Sequence, residues 1–251
     1  MIKRMIYCVF ALFCMIAISS AYADTSDTIQ PLKDAAEQGN SAAQCLLGFM
    51  YKYGEGVAMD YKQAAHWFKK AAEQGDADAQ RVLGIIYYKG EGVTRDYKQA
   101  AHWFEKAAKQ GNADAQVMLG YIYYNGDGIA KDYKQAAYWF EKAAKQGNAD
   151  AQRVLGIIYY KGEGVTRDYK QAAHWFKKAA EQGNDDAQRG LGIMYYNGDG
   201  IAKNKVYAYV FLNQAAITNE KAKVNRDLIE KTMTPQEIAR AQSMTIQDVL
   251  K

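Results

Sequence analysis

Three histidines are the first residues in this chain whose type could support catalysis or metal binding. They fall in one series, His66, His102 and His174, with Tyr138 at the intervening place. A tetrahedral metal site needs its donors within about 2 Å of one ion, whereas equivalent positions on successive packed helices lie about 8–10 Å apart. The histidines therefore read as solvated residues, sharing the outer side of their helix with Lys98, Glu105 and Lys109. Carboxylates recur in turns such as Asn125-Gly126-Asp127-Gly128, close to Asp132. A calcium loop requires a longer alternation of oxygen donors closed by a bidentate Glu, so these glycines read as turn formers. Ser26, Ser41 and Ser243 lie in neither a Ser-x-x-Lys nor a Gly-x-Ser-x-Gly context, and no Gly-x-Gly pair extends into a phosphate loop. The sequence nominates no catalytic, cofactor-binding or metal-binding residue.

Recognition chemistry is better represented. A second series reads Cys45/Phe49/Lys52, Arg81/Ile85/Tyr88, Val117/Tyr121/Tyr124, Arg153/Ile157/Tyr160 and Arg189/Ile193/Tyr196. Tyr and Arg are enriched at binding hot spots, and contiguous exposed apolar surface marks interaction sites. From this series Phe49, Arg81, Ile85, Tyr88, Tyr121, Tyr124, Arg153, Ile157, Tyr160, Arg189, Ile193 and Tyr196 are the expected protein-binding residues. The competing reading is that tight curvature buries the strip within the scaffold itself.

Both series exist because the chain repeats. Ala-Gln recurs at Ala43, Ala79, Ala115, Ala151 and Ala187, each start being the previous one plus 36. A fixed period of this size signals a solenoid. In the unit Ala79–Asp114, Ala79, Leu83, Ile86 and Tyr87 form one stripe of a helix A that ends at Lys89. Gly84 at its flank costs about 1 kcal/mol relative to Ala and predicts close approach of a second backbone. Gly90 and Gly92 supply the turn. Helix B opens at Asp96, with Gln99 at capping-box spacing, and carries Tyr97, Ala100, Ala101, Phe104, Ala107 and Ala108 as its apolar stripe, Trp103 at the margin and Gly111 past its end. Such a hairpin leaves apolar surface that only stacked neighbours can bury.

The pattern Leu83-Gly84-x-x-Tyr87-x-x-Gly90-x-Gly92-Val93, followed by Ala100, Trp103, Ala107-Ala108 and Gly111, resembles the Sel-one-like repeat (SLR) family, a branch of the tetratricopeptide-like α-solenoids. The resemblance covers five units over residues 43–219. It implies an all-α fold, a right-handed superhelix of stacked antiparallel helix hairpins, that binds other proteins and has no shared catalytic centre. Two near-identical units, Ala79–Asp114 and Ala151–Asp186, differ only at Glu105/Lys177, Lys109/Glu181 and Ala113/Asp185, which points to duplication of a two-unit block.

The flanks differ in kind. Residues 1–23 have the form of a secretory signal: Lys3 and Arg4, an apolar run Met5–Ile18, then Ala21-Tyr22-Ala23. The apolar run is short for a spanning helix. Cleavage after Ala23 removes two of the 32 basic residues against 28 acidic ones, leaving +2, too balanced for a nucleic-acid or anionic-membrane partner. It also removes Cys8 and Cys14, so Cys45 becomes the sole cysteine and an internal disulfide is ruled out. Residues 24–42 read as a lead followed by a capping half repeat with its helix over Leu32–Gln38, and residues 220–251 as capping helices, Lys221–Thr232 and Pro235–Leu250.

The expected protein is an exported scaffold, periplasmic or secreted, without an integral membrane segment in the mature chain, that binds a protein or peptide along a concave helix-A surface. Two alternatives stand beside it. One is an envelope enzyme of the β-lactam- or peptidoglycan-hydrolysing kind linked to cysteine-rich SLR proteins, although the cysteine pairs of those repeats are absent here. The other is a secreted factor engaging host proteins.

Overall fold

The computed structural model describes residues 25–250, so the signal read over residues 1–23 lies outside the described residues. Each unit is two helices of equal length joined by a glycine turn, and the series can be followed through the chain. A capping helix α1 (Thr25–Glu37) precedes α2 (Ser41–Tyr53), α3 (Tyr61–Glu73), α4 (Ala77–Lys89), α5 (Tyr97–Lys109), α6 (Ala113–Asn125), α7 (Tyr133–Lys145), α8 (Ala149–Lys161), α9 (Tyr169–Glu181), α10 (Asp185–Asn197) and α11 (Lys205–Ala215). Then come α12 (Glu220–Glu230), α13 (Pro235–Gln242) and α14 (Ile246–Leu250). Even-numbered α2 to α10 are helix A and odd-numbered α3 to α11 are helix B. No strand occurs among the described residues. Helices pack chiefly on their neighbours in the chain, which is the stacked-hairpin solenoid that the repeat predicts.

Local chemistry sets the helix ends. Asp96 accepts hydrogen bonds from the backbone N–H groups of Lys98 and Gln99, a cap worth about 1 kcal/mol. Its own N–H donates to the Tyr87 carbonyl (2.9 Å), so Gln99 does not close a capping box. Gly90 ends α4 in the left-handed region (φ 76°), and Gly111 does the same after α5 (φ 91°). Helix A starts two residues before Ala79, because Asp76 caps it by accepting from Ala79 N.

The core lies between helices A and B and between units. Phe68, Phe104 and Phe140 are fully buried. Trp103, read at the margin of its stripe, is buried too, in the same apolar cluster as Leu83 and Ile86 of its unit and Ala71 and Ala72 of the unit before. The close approach expected at Gly84 is made by a side chain: a Cβ there would sit 2.7 Å from the Phe104 ring. Backbone proximity occurs instead at Gly92, where a Cβ would meet the Tyr61 carbonyl of the preceding unit and lie 2.6 Å from Lys62 N.

At the amino end α1 packs on α2 as a helix-B equivalent, with Ile29 and Ala36 buried. It begins at Thr25 and runs through Pro31, earlier than the Leu32 start read from the repeat. At the carboxyl end the single helix expected over Pro235–Leu250 is two. Ser243 closes α13 by donating to the Arg240 carbonyl, and Thr245 opens α14 through reciprocal hydrogen bonds with Asp248. Together they lay Ala241, Ile246 and Leu250 over Val206, Tyr209 and Val210 of α11. Val210 occupies the place of His174 one unit on and is buried there, whereas His174 is exposed.

Candidate interaction surface

All twelve nominated residues lie on the helix-A side, from Phe49 on α2 to Tyr196 on α10, and all are half-buried. The sequence places them away from the central stripe, and stacking aligns them from unit to unit. The structure brings them into one strip without leaving them idle. Tyr88, Tyr124 and Tyr160 pack edge-on or tilted against Tyr97, Tyr133 and Tyr169, the first residues of helix B in the same unit, with ring centroids 5.0–5.2 Å apart. Their hydroxyls then donate across the unit boundary to the turn carboxylate of the next unit: Tyr88 to Asp127 (3.2 Å), Tyr124 to Glu163 (2.6 Å) and Tyr160 to Asp199 (2.9 Å). At the first boundary Lys52 replaces the tyrosine and pairs with Glu91 (3.0 Å).

This seam fixes the chemistry available. Burial and the hydrogen bond to Glu163 push the Tyr124 phenol up to about 12. Tyr88 and Tyr160 are raised for the same reasons, burial first and then Asp127 or Asp199. Tyr121 is raised further, by burial and its hydrogen bond to Asp150. These phenols remain neutral donors at ordinary pH, suited to positioning a carboxylate and unsuited to acting as nucleophiles. Among the described residues there is also no group of three or more His, Cys, Asp or Glu side chains able to hold a metal ion.

Arginine edges the strip unevenly. Arg153 donates through Nε and Nη2 to Asp150, at 3.1 and 2.6 Å, and through Nη2 to the Tyr121 hydroxyl at 2.9 Å. Arg81 and Arg189 approach Asp78 and Asp186 only at 4.0 and 3.6 Å. Ile85, Ile157 and Ile193 lie between the aromatic and arginine rows, and Phe49 stands edge-on to Phe68, 4.9 Å between centroids.

The helix-B side is different. His66, His102 and His174 are exposed, each edge-on to the tryptophan that follows it. Lysines cover the same rings, Lys106 lying 4.7 Å from the Trp103 centroid. This face is solvated, as its spacing predicts.

A second seam has no counterpart in the sequence reading. Gln44, Gln80, Gln116, Gln152 and Gln188 are the buried polar side chains among the described residues. Gln80 donates to the Ala72 carbonyl of the unit before and accepts from Gln110 of its own unit (2.8 Å), and Gln116 and Gln152 repeat the arrangement with Ala108 and Gln146, and with Ala144 and Gln182. The signal was present in the invariant Ala-Gln that marks each unit: a polar residue fixed beside a core alanine is accountable only if it is buried and bonded.

A Sel1 repeat profile matches residues 41–76, 77–112, 113–148, 149–184 and 185–217. The fold is similar to a crystal structure of a protective antigen present in uropathogenic Escherichia coli strains and displaying an SLR fold. It is 37% identical, with TM-score 0.79 over 87% of this chain and 47% of that one. This chain therefore spans about half the length of that relative. A Sel1 repeat protein from Oxalobacter formigenes is also 37% identical, with TM-score 0.69 over 72% of this chain and 75% of that one. Among curated proteins no match is found.

Proposed function

The chain belongs to the Sel1 repeat family, and from that premise we propose that it is a non-enzymatic scaffold binding a protein or peptide partner along its helix-A strip. One observation supports this reading above the others. Half-buried aromatic and aliphatic side chains run from α2 to α10, edged by arginine on α4, α8 and α10, while the opposite side presents exposed histidine and lysine. Half-burial suits a binding surface, since side chains already ordered by the seam lose little conformational freedom on association.

We also read residues 1–23 as an export signal, so that the scaffold works in the bacterial envelope or beyond it. No helix among the described residues is long and apolar enough to cross a membrane. The kinship with a protein described as a protective antigen agrees with a destination outside the cytoplasm.

Photo-crosslinking in living cells tests the surface. A benzophenone amino acid is placed at Ile85 or Ile193 on the strip, and at His102 or Tyr138 on the opposite side. Defined adducts from the first pair and none from the second are expected. Adducts formed equally from both sides, or from neither, would rule the strip out.

A further inference from the structure

The fifth unit breaks the repeat at one helix-A position. Leu46, Val82, Met118 and Val154 stand where α10 has Gly190. Val82 and Val154 are buried. Gly190 has no positive φ to justify it, and glycine within a helix costs about 1 kcal/mol relative to alanine. What it produces is a groove of about 430 Å³ on the strip, between α8 and α10. Phe176 forms the floor: it is 5% exposed where its equivalents Phe68, Phe104 and Phe140 are fully covered. Ile157, Ile193 and Tyr160 complete the apolar wall.

Charge at the rim is asymmetric. Arg153, Lys161 and Arg189 line the groove against the single carboxylate of Asp186. Arg153 is held through Nε and Nη2 by Asp150 and Tyr121, and Lys161 approaches Glu163 at 3.4 Å. Arg189 is in another condition. The residue one unit before it, at the place of Tyr121, is Ile157, which offers no hydroxyl. Its acid, Asp186, accepts from the Asn219 side chain (3.0 Å) and stays 3.6 Å from Arg189 Nε, which is buried without a hydrogen bond. An arginine beside an apolar groove, with donor capacity unused, is matched by a carboxylate carried next to an apolar side chain.

We propose that the groove over Gly190 is the specificity pocket of the strip: it takes an aliphatic side chain of a bound peptide, standing where the missing valine would be, while Arg189 receives the side-chain carboxylate of an Asp or Glu one or two residues away. This rests on the strip being the binding surface and adds to it the chemistry of the partner, an acidic peptide with an aliphatic anchor. The larger hollow of about 540 Å³ near Lys203, Lys205 and Arg240 is polar, and its Lys205 is already bonded to the Thr232 carbonyl.

The test uses the full mature chain and random peptides displayed at the amino terminus of a phage coat protein, where no free carboxyl end is presented. Recovered peptides are synthesised and titrated by fluorescence anisotropy. Enrichment of an aliphatic residue within two positions of Asp or Glu is expected. Gly190→Val and Arg189→Gln should each weaken binding by about tenfold or more, and Arg189→Gln should erase the acidic preference. Gly190→Val is compatible with the fold because Val82 and Val154 occupy the same place beside their own phenylalanines; Gly190→Ala, whose Cβ would lie 3.2 Å from Phe176, is the smaller filler should valine reduce helix content. Peptides lacking the aliphatic–acidic pair, or binding Gly190→Val and the parent chain alike, would overturn the pocket while leaving the strip intact. Recovery of no peptide would overturn both.

Discussion

Two seams hold successive units together, and they are built on different principles. The glutamine seam is buried, neutral and the same at Gln44, Gln80, Gln116 and Gln152, each donating to an alanine carbonyl of the unit before and accepting from the glutamine that ends its own unit's helix B. The tyrosine seam is half-exposed, charged on one side and variable: Lys52 with Glu91, Tyr88 with Asp127, Tyr124 with Glu163, Tyr160 with Asp199. A buried amide leaves unpaired groups behind if it is altered, whereas a half-exposed pair can fall back on water. The molecule thus keeps one edge fixed and lets the other vary from unit to unit.

The largest effect should follow from breaking the fixed edge. Gln116→Ala leaves the Ala108 carbonyl and the Gln146 amide without their partner. A loss of about 2–3 kcal/mol is expected from urea unfolding followed by circular dichroism. A loss below that of the next variant would mean that the two seams are equivalent after all.

Tyr124→Phe removes one hydroxyl from the variable edge and should cost about 1 kcal/mol at neutral pH. Its pH profile separates the seams further. The folded phenol is raised to about 12 from an ordinary value of about 10. Its contribution is therefore complete below pH 10 and lost as pH rises toward 12. The parent chain should lose stability over that alkaline window more steeply than Tyr124→Phe; parallel profiles would contradict the assignment.

Lys52→Met should have the smallest effect, about 0.5–1 kcal/mol, and should be the one that salt masks. Burial tends to raise the Glu91 carboxyl, but its hydrogen bond to Lys52 and the charges of Lys52 and Lys89 hold it below the ordinary carboxylate range. A depressed carboxylate stabilises above its unfolded value and loses that contribution as pH falls through the folded one. The first boundary should thus weaken in acid and the central ones in alkali. Hydrogen exchange of α2 and α6 at the two extremes compares them directly, and identical responses would remove the distinction.

The sequence made legible whatever is decided within about a dozen residues. Asp96 caps α5, Gly90 and Gly111 end helices, and the 36-residue period sets the stack, because capping and positive φ are local demands. What it obscured depends on register between units. The partner of Tyr124 lies 39 residues away at Glu163, and that of Tyr160 lies 39 away at Asp199, so neither pair can be found before the stacking is known. Gly84 misled for the same reason: a recurring helical glycine signals a close neighbour without saying whether it is backbone or the Phe104 ring. The break at Ser243–Thr245 was readable, since Thr245 and Asp248 stand three residues apart as a capping pair.

The hydrogen bond from Lys177 Nζ to the Leu250 carbonyl joins residues 73 apart, farther than either seam reaches. Under tension applied to its ends, a stack held by neighbour contacts yields one hairpin at a time, at a force set by a single boundary and not by the whole length. The α14 clasp ties α9 and α11 into one mechanical block at the carboxyl end. Unravelling would then travel from the amino end and halt there, leaving a folded remnant that includes the Gly190 groove.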